Sequence, residues 1–163
     1  MLITSIDIGF KGGIAIFELN NNTYSLASFF PMPITTHTKN KKQTLDITTI
    51  HSILSPASII VIENTHTFPH DGRVSAFNFG YQKGVIYAIS VLVAGEKNTH
   101  LIAPQSWKKY YNLTKLPRQT QKQKAIELAN NLFNLNLAKT QDGIADAILL
   151  GKYFIEKHLL KST

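Results

Sequence analysis

Residues 5–17, Ser5-Ile-Asp-Ile-Gly-Phe-Lys-Gly-Gly-Ile-Ala-Ile-Phe17, hold a carboxylate between two isoleucines, then break at Lys11-Gly12-Gly13. The apolar and β-branched residues on either side of the break predict two strands, 2–10 and 12–19, joined as a hairpin. Asp7 is the anomaly. Removing an ionised carboxylate from water is costly unless a partner compensates. Either Asp7 faces solvent at a strand end, with Gly9 in the turn beyond it, or something positive meets it.

Outward from the hairpin, Asn20-Asn21-Asn22 makes a turn, and 23–33 alternates well enough for a third strand ended by Pro31 and Pro33. Residues 34–46 form a polar loop in which Lys39, Lys41 and Lys42 are either simply solvated or touch phosphate. Asp46 caps a short helix over 47–55, and 58–65 is apolar enough for a buried central strand. A helix over 74–94 carries an apolar stripe of Val74, Phe77, Tyr81, Val85 and Ala88, with Gly80 and Gly84 spaced to let it lie close to another backbone. A fifth strand over 99–105, a short helix over 106–113 and an amphipathic helix over 121–133 follow. In the amphipathic helix Ala125, Ile126, Ala129 and Phe133 point inward. The last helix starts near Asp142 and ends near His158. This order predicts an α/β fold, a mixed five-stranded sheet flanked by helices, as one domain over 1–163. It is the element order of the ribonuclease H-like fold.

Composition narrows the function. The absence of cysteine removes disulfides, thiolate metal sites and cysteine nucleophiles. The apolar runs are strand-sized and the N-terminus lacks a signal-peptide pattern, so the expectation is a soluble intracellular protein with no membrane partner. It would be cytoplasmic or nucleoid-associated; an organelle or a virus-infected cell also fits. A net charge of +7 makes a polyanion, nucleic acid first, the default partner, against the plainer reading of a lysine-rich surface kept soluble by charge.

Of the ten acids, four sit where acids do not usually sit. Asp7 is flanked by isoleucines, Glu63 directly follows Ile59-Ile60-Val61-Ile62, and Asp142 and Asp146 share a face one turn apart on an otherwise apolar helix. With Arg73 and Arg118 as the only arginines, salt bridges for all four would fall to lysines. A divalent cation is the more economical partner. Mg²⁺ or Mn²⁺ prefers hard oxygen ligands, and two such ions can activate water and stabilise the leaving oxygen at a phosphodiester. Glu63 reads also as a strand exit, and Asp142 equally as a helix N-cap.

Three blocks, SIDIGFKGGIAIF (5–17), IIVIENTH (59–66) and QDGIADAILL (141–150), together with Ser75 to Gly84 and Ile102 to Lys108, resemble the RuvC-type Holliday-junction resolvases over nearly the whole chain. The resemblance implies a ribonuclease H-like nuclease acting as a homodimer on branched DNA, the four-way junction. It implies paired nicks leaving 5′-phosphate and 3′-hydroxyl ends, and two Mg²⁺ or Mn²⁺ ions per site. Asp7 would bridge the ions, with Glu63, Asp142 and Asp146 completing the site. One departure stands out: the fourth acidic or histidine position usually precedes the last Asp by three, where this chain has Gly143, and its acid comes one earlier.

Charge and placement nominate Arg73, Lys83, Lys108, Lys109, Lys115, Arg118, Lys122 and Lys124 as DNA-facing, and the resemblance implies that one of these lysines, left open, stabilises charge in the transition state. Phe68, or else His66, would probe the junction centre. Trp107, Tyr110 and Tyr111 read as core or as base-stacking residues, and His66 and His70 as loop hydrogen-bonders or water-positioning groups. Other readings are a ribonuclease on RNA or RNA–DNA hybrid, and a nucleic-acid-binding protein with a degenerate site.

Overall fold

The computed structural model describes residues 1–38, 41–66 and 72–160. Strands β1 (Leu2–Asp7), β2 (Gly13–Asn20) and β3 (Thr23–Pro31) form an antiparallel meander, and β6 (Ile59–Glu63) and β7 (Thr99–Ile102) add in parallel beside β1. The sheet runs β3-β2-β1-β6-β7, the mixed five-stranded sheet expected. The segment read as a polar loop is more ordered than its composition suggests. It contains a two-stranded ribbon, β4 (Ile34–Thr36) with β5 (Gln43–Leu45), in which Ile34 faces the well-buried Leu45. Lys39 of its lysine cluster lies outside the described residues.

Period-two alternation sorts the sheet between two cores. Ile6, Ile14, Ile60 and Ile62 pack with Ile50 and Leu54 of α1 (Ile47–Leu54) and Ile86 and Ile89 of α2 (Arg73–Ala94). Ile3, Ala15, Phe17 and Val61 pack on the other face. There they meet Trp107 of α3 (Pro104–Tyr110), Ala125, Ile126 and Ala129 of α4 (Arg118–Phe133), and Ile144 to Leu150 of α5 (Asp142–Phe154). Odd-numbered positions of β1 and β6 therefore face α5. Asp7 and Glu63 are the last of those positions.

Asp46 caps α1 as expected, its carboxylate accepting from the Thr49 N–H. A one-turn π-helical segment, Ile155–Leu159, continues α5 almost to the expected end. Of the stripe read on α2 only Val85 packs against the core beneath the sheet. Gln82, Ile86, Ile89 and Ser90 are buried, whereas Val74 and Phe77 are each 75% exposed, and Tyr81, Ala88 and Leu92 also face outward. Apolar residues occur on both sides of this helix, so spacing alone does not say which side meets the sheet.

Two glycines lock α5 onto the hairpin. Gly12 and Gly143 form an isolated parallel bridge, and a Cβ on Gly143 would lie 2.1 Å from the Lys11 carbonyl oxygen and 2.6 Å from the Gly12 Cα. A Cβ on Gly12 would lie 2.1 Å from the Asp7 carbonyl oxygen. Deeper in, the Ser5 hydroxyl donates to the Ala147 carbonyl at 2.7 Å. Backbone against backbone, these contacts place the first two turns of α5 over the end of β1.

Candidate active site

The parallel register Ile3↔Ile59 through Ile6↔Ile62 brings the β1 and β6 ends side by side, which makes Asp7 and Glu63 neighbours. Sites in α/β sheets form at the carboxyl ends of parallel strands. Over this pair the Gly12–Gly143 contact sets Asp142 and Asp146. All four acids singled out in the sequence thus converge on one corner, Asp7 and Glu63 each as the last residue of its strand.

Electrostatics records the crowding. Burial and the charges of Glu63, Asp146 and Asp142 hold the Asp7 carboxyl well above the usual carboxylate range, with Lys108 opposing. Burial pushes Asp146 up to about 7, against the pull of Lys108, with Glu63 and Asp142 adding to the rise. Meanwhile each outer acid has a protein partner. The Trp107 indole N–H donates to Glu63 Oε1 at 2.9 Å and the Thr65 hydroxyl to Oε2 at 2.6 Å; Lys122 pairs with Asp142. Among the described residues no three acidic or imidazole side chains close on one ready-made ion position. The acids nonetheless feel one another strongly, because they share a poorly hydrated corner. An all-carboxylate set of hard oxygens, with its central members disfavoured as anions, fits a Mg²⁺ or Mn²⁺ ion.

Asp142 does not cap α5. Gln141 occupies the cap position without a side-chain cap bond, and Asp142 is the first helical residue, bound to Lys122. The N-cap reading of this acid is set aside.

The basic residues divide by what they touch. Lys83 binds the Asn64 side chain and, at 3.2 Å, the Thr65 carbonyl, so it ties α2 to the exit of β6. Lys108 lies over the Trp107 ring at 5.1 Å, within electrostatic reach of Asp7 and Asp146. Arg73, Lys109, Lys115, Arg118 and Lys124 are exposed, as is His66. Phe68 and His70 lie outside the described residues. Of the aromatic residues, Trp107 is fully buried and Tyr111 donates to the Leu149 carbonyl at 3.1 Å; Tyr110 bonds Glu156.

Sequence reasoning missed Thr65 and the Trp107 hydrogen bond. Thr65 was findable, because residues two apart on a strand share a face. Trp107 was not, because its bond to Glu63 spans 44 residues.

No protein-family model and no curated protein sequence matches the chain. Solved structures do. Thermus thermophilus RuvC matches with a TM-score of 0.59 at 12% identity, over 96% of each chain. The same organism's RuvC in complex with a Holliday junction substrate matches with 0.60 at 14%, over 94% of this chain and 92% of that one. The yeast mitochondrial Holliday junction resolvase matches with 0.54 at 14%, over 94% and 78%. This chain has the RuvC-type fold. The four acids lie at the ends of β1 and β6 and in the first turns of α5.

The raised acids make a stability prediction. A carboxyl whose folded pKa is raised holds its proton better in the folded than in the unfolded state. In EDTA, stability should therefore fall as pH rises from about 4, the unfolded value, to about 7. Asp146→Asn should be more stable than the parent chain in EDTA at pH 8, on the order of 2 kcal/mol, with the gap closing toward pH 4. Urea melts across this range check it; a pH-independent gap would contradict the crowding.

Proposed function

We propose that the chain is a metal-dependent endonuclease that nicks four-way DNA junctions in pairs, as a homodimer, leaving 5′-phosphate and 3′-hydroxyl ends. The observation that supports this best is the convergence of Asp7, Glu63, Asp142 and Asp146 at the carboxyl ends of adjacent strands, in a fold shared with a protein solved on a Holliday junction substrate. Asp7, Glu63, Asp142 and Asp146 would hold two Mg²⁺ or Mn²⁺ ions. With the ions bound, the chemistry supplied is water activation on one side of the phosphodiester and stabilisation of the leaving oxygen on the other.

The chain's own residues orient and neutralise. Asp7 and Asp146 must give up their protons for the site to assemble, which favours activity toward neutral and alkaline pH. Lys108, held over the indole ring beside these acids, offers positive charge to the reacting phosphate. Arg73, Lys115, Arg118 and Lys124 neutralise flanking phosphates, and Lys122, which pairs with Asp142 here, would do the same with Asp142 holding an ion. Side-by-side incubation of a four-way DNA junction, an RNA–DNA hybrid and RNA of matching length, with Mg²⁺ and with EDTA, tests the substrate. Cleavage of the junction alone and only with Mg²⁺ is expected. Preference for the hybrid or for RNA, or binding without any cleavage, would overturn it.

Symmetric nicks call for two sites related by a twofold axis. The exposed ridge of α2, with Phe77, Tyr81 and Leu92 outward, offers an apolar face for that contact. On the same side, a Cβ on Gly80 or Gly84 would meet nothing within 4 Å, so among the described residues no backbone uses the close approach these glycines allow. A second copy of α2 would. Phe77→Glu should convert a dimer into a monomer by light scattering and lower paired nicking at least about tenfold, since an interfacial charge costs more than 1.4 kcal/mol. A parent chain that is monomeric while making paired nicks would exclude the dimer.

A further inference from the structure

Glu63 is only 7% exposed, and both of its oxygens are engaged by the protein, Oε1 by the Trp107 indole N–H and Oε2 by the Thr65 hydroxyl. The indole is fully buried in the core beneath α5. Its ring carries the Lys108 ammonium at 5.1 Å, while the ring edge contacts Tyr111 at 6.4 Å between centroids. An indole nitrogen is a donor only, so this contact has one polarity. It occupies one oxygen of Glu63 and fixes which lone pairs remain for other partners. Lys108, one residue on in the same helix, gains a cation–π contact from the same ring.

We propose that Trp107 is a positioning residue: its N–H aims the Glu63 carboxylate into the cleft and its ring aims Lys108 at the same place, so that an acid and a cation move as one unit. The inference rests on the nuclease reading and deepens it. A core tryptophan would be interchangeable with another large apolar side chain of similar shape. A positioning tryptophan is not, because removing the N–H frees one oxygen of a buried carboxylate to rotate. Partners of this kind, one shell out from a metal ligand, cost 10–100-fold in metal affinity when removed.

Trp107 is the only tryptophan in the chain, which allows the test to be made without turnover. Mn²⁺ titration should change the indole emission of the parent, and Glu63→Gln should abolish that response. Free Mn²⁺ followed by electron paramagnetic resonance should show Trp107→Phe binding about tenfold more weakly. In a Glu63→Gln background, Trp107→Phe should make no further difference. The Mg²⁺ concentration for half-maximal nicking should rise by the same factor, while a purely structural role would lower thermal stability without moving it. If Trp107→Phe does not fold, the isostere with sulfur in place of the N–H, incorporated at this single position, replaces it. Unchanged Mn²⁺ affinity in whichever variant folds overturns the inference and leaves the nuclease reading standing. Normal nicking by Glu63→Gln removes Glu63 from the site, and a parent that does not nick with Mg²⁺ overturns the nuclease reading itself.

Discussion

Asp7→Asn should bind a four-way junction at least as tightly as the parent and cut it about a thousandfold more slowly. Asp7 lies at the centre of the four acids, with Glu63, Asp146 and Asp142 all adding to its unfavourable charge. As the residue proposed to hold both ions, it would carry several kcal/mol of transition-state stabilisation, and each 1.36 kcal/mol is a factor of ten in rate. Asparagine keeps the shape and one oxygen but removes the charge. Binding is expected to survive because the lysines and arginines proposed to meet phosphates are unchanged, and one negative charge fewer repels the DNA less. Gel-shift titration with Ca²⁺, alongside single-turnover cleavage with Mg²⁺, separates the two effects. Parent-like cleavage by the variant would remove the metal-site assignment.

Gly143→Asp should inactivate the protein by unfolding its site, although the change puts an acid at the spacing common among resolvases of this type. The first atom of any side chain at Gly143 would lie 2.1 Å from the Lys11 carbonyl oxygen and 2.6 Å from the Gly12 Cα, both of them backbone atoms without a rotamer to change. Overpacking costs 1–3 kcal/mol where side chains can yield, and here they cannot. A loss of about 3 kcal/mol or more, roughly 6–12 °C in Tm for a chain of this size, is expected, with Gly143→Ala behaving alike. Thermal melts and cleavage assays on both variants check it. A stable, active Gly143→Asp would mean that α5 can lift from the hairpin and still present its acids. The contact also accounts for the displaced acid: with position 143 committed to backbone packing, the carboxylate stands at 142.

The sheet and its helices were legible because the signals are local: apolar strand-length runs, turn asparagines, an aspartate cap and an ordered series of helical periods. The acids were legible because they violate those patterns. Asp7 and Glu63 sit at odd positions of strands whose odd positions face α5, and that alternation is written in the sequence. What escaped depended on distant pairs. The α2 stripe was ambiguous because both sides of the helix are apolar, and only the sheet decides between them. The β4–β5 ribbon is too short and too polar to announce itself. The Trp107–Glu63 bond, the Lys83 tie to Asn64 and Thr65, and the Lys122–Asp142 pair join elements far apart in sequence, where no spacing rule reaches. Asp142 was ambiguous for a further reason: residues at a helix start serve as caps or as ligands with the same local pattern, and only the position of Gln141 distinguishes them.

The Gly12–Gly143 bridge joins the opening hairpin to a helix synthesised long after it. Contacts of such long range form late, after the loop between them has been closed at an entropic cost. A nascent polypeptide emerging from the ribosome therefore carries Asp7 and Glu63 well before Asp142 and Asp146 can join them. On the proposed function, cutting would become possible only when α5 docks, so translation itself would act as a timer, and ribosome-stalled chains lacking α5 should leave DNA intact.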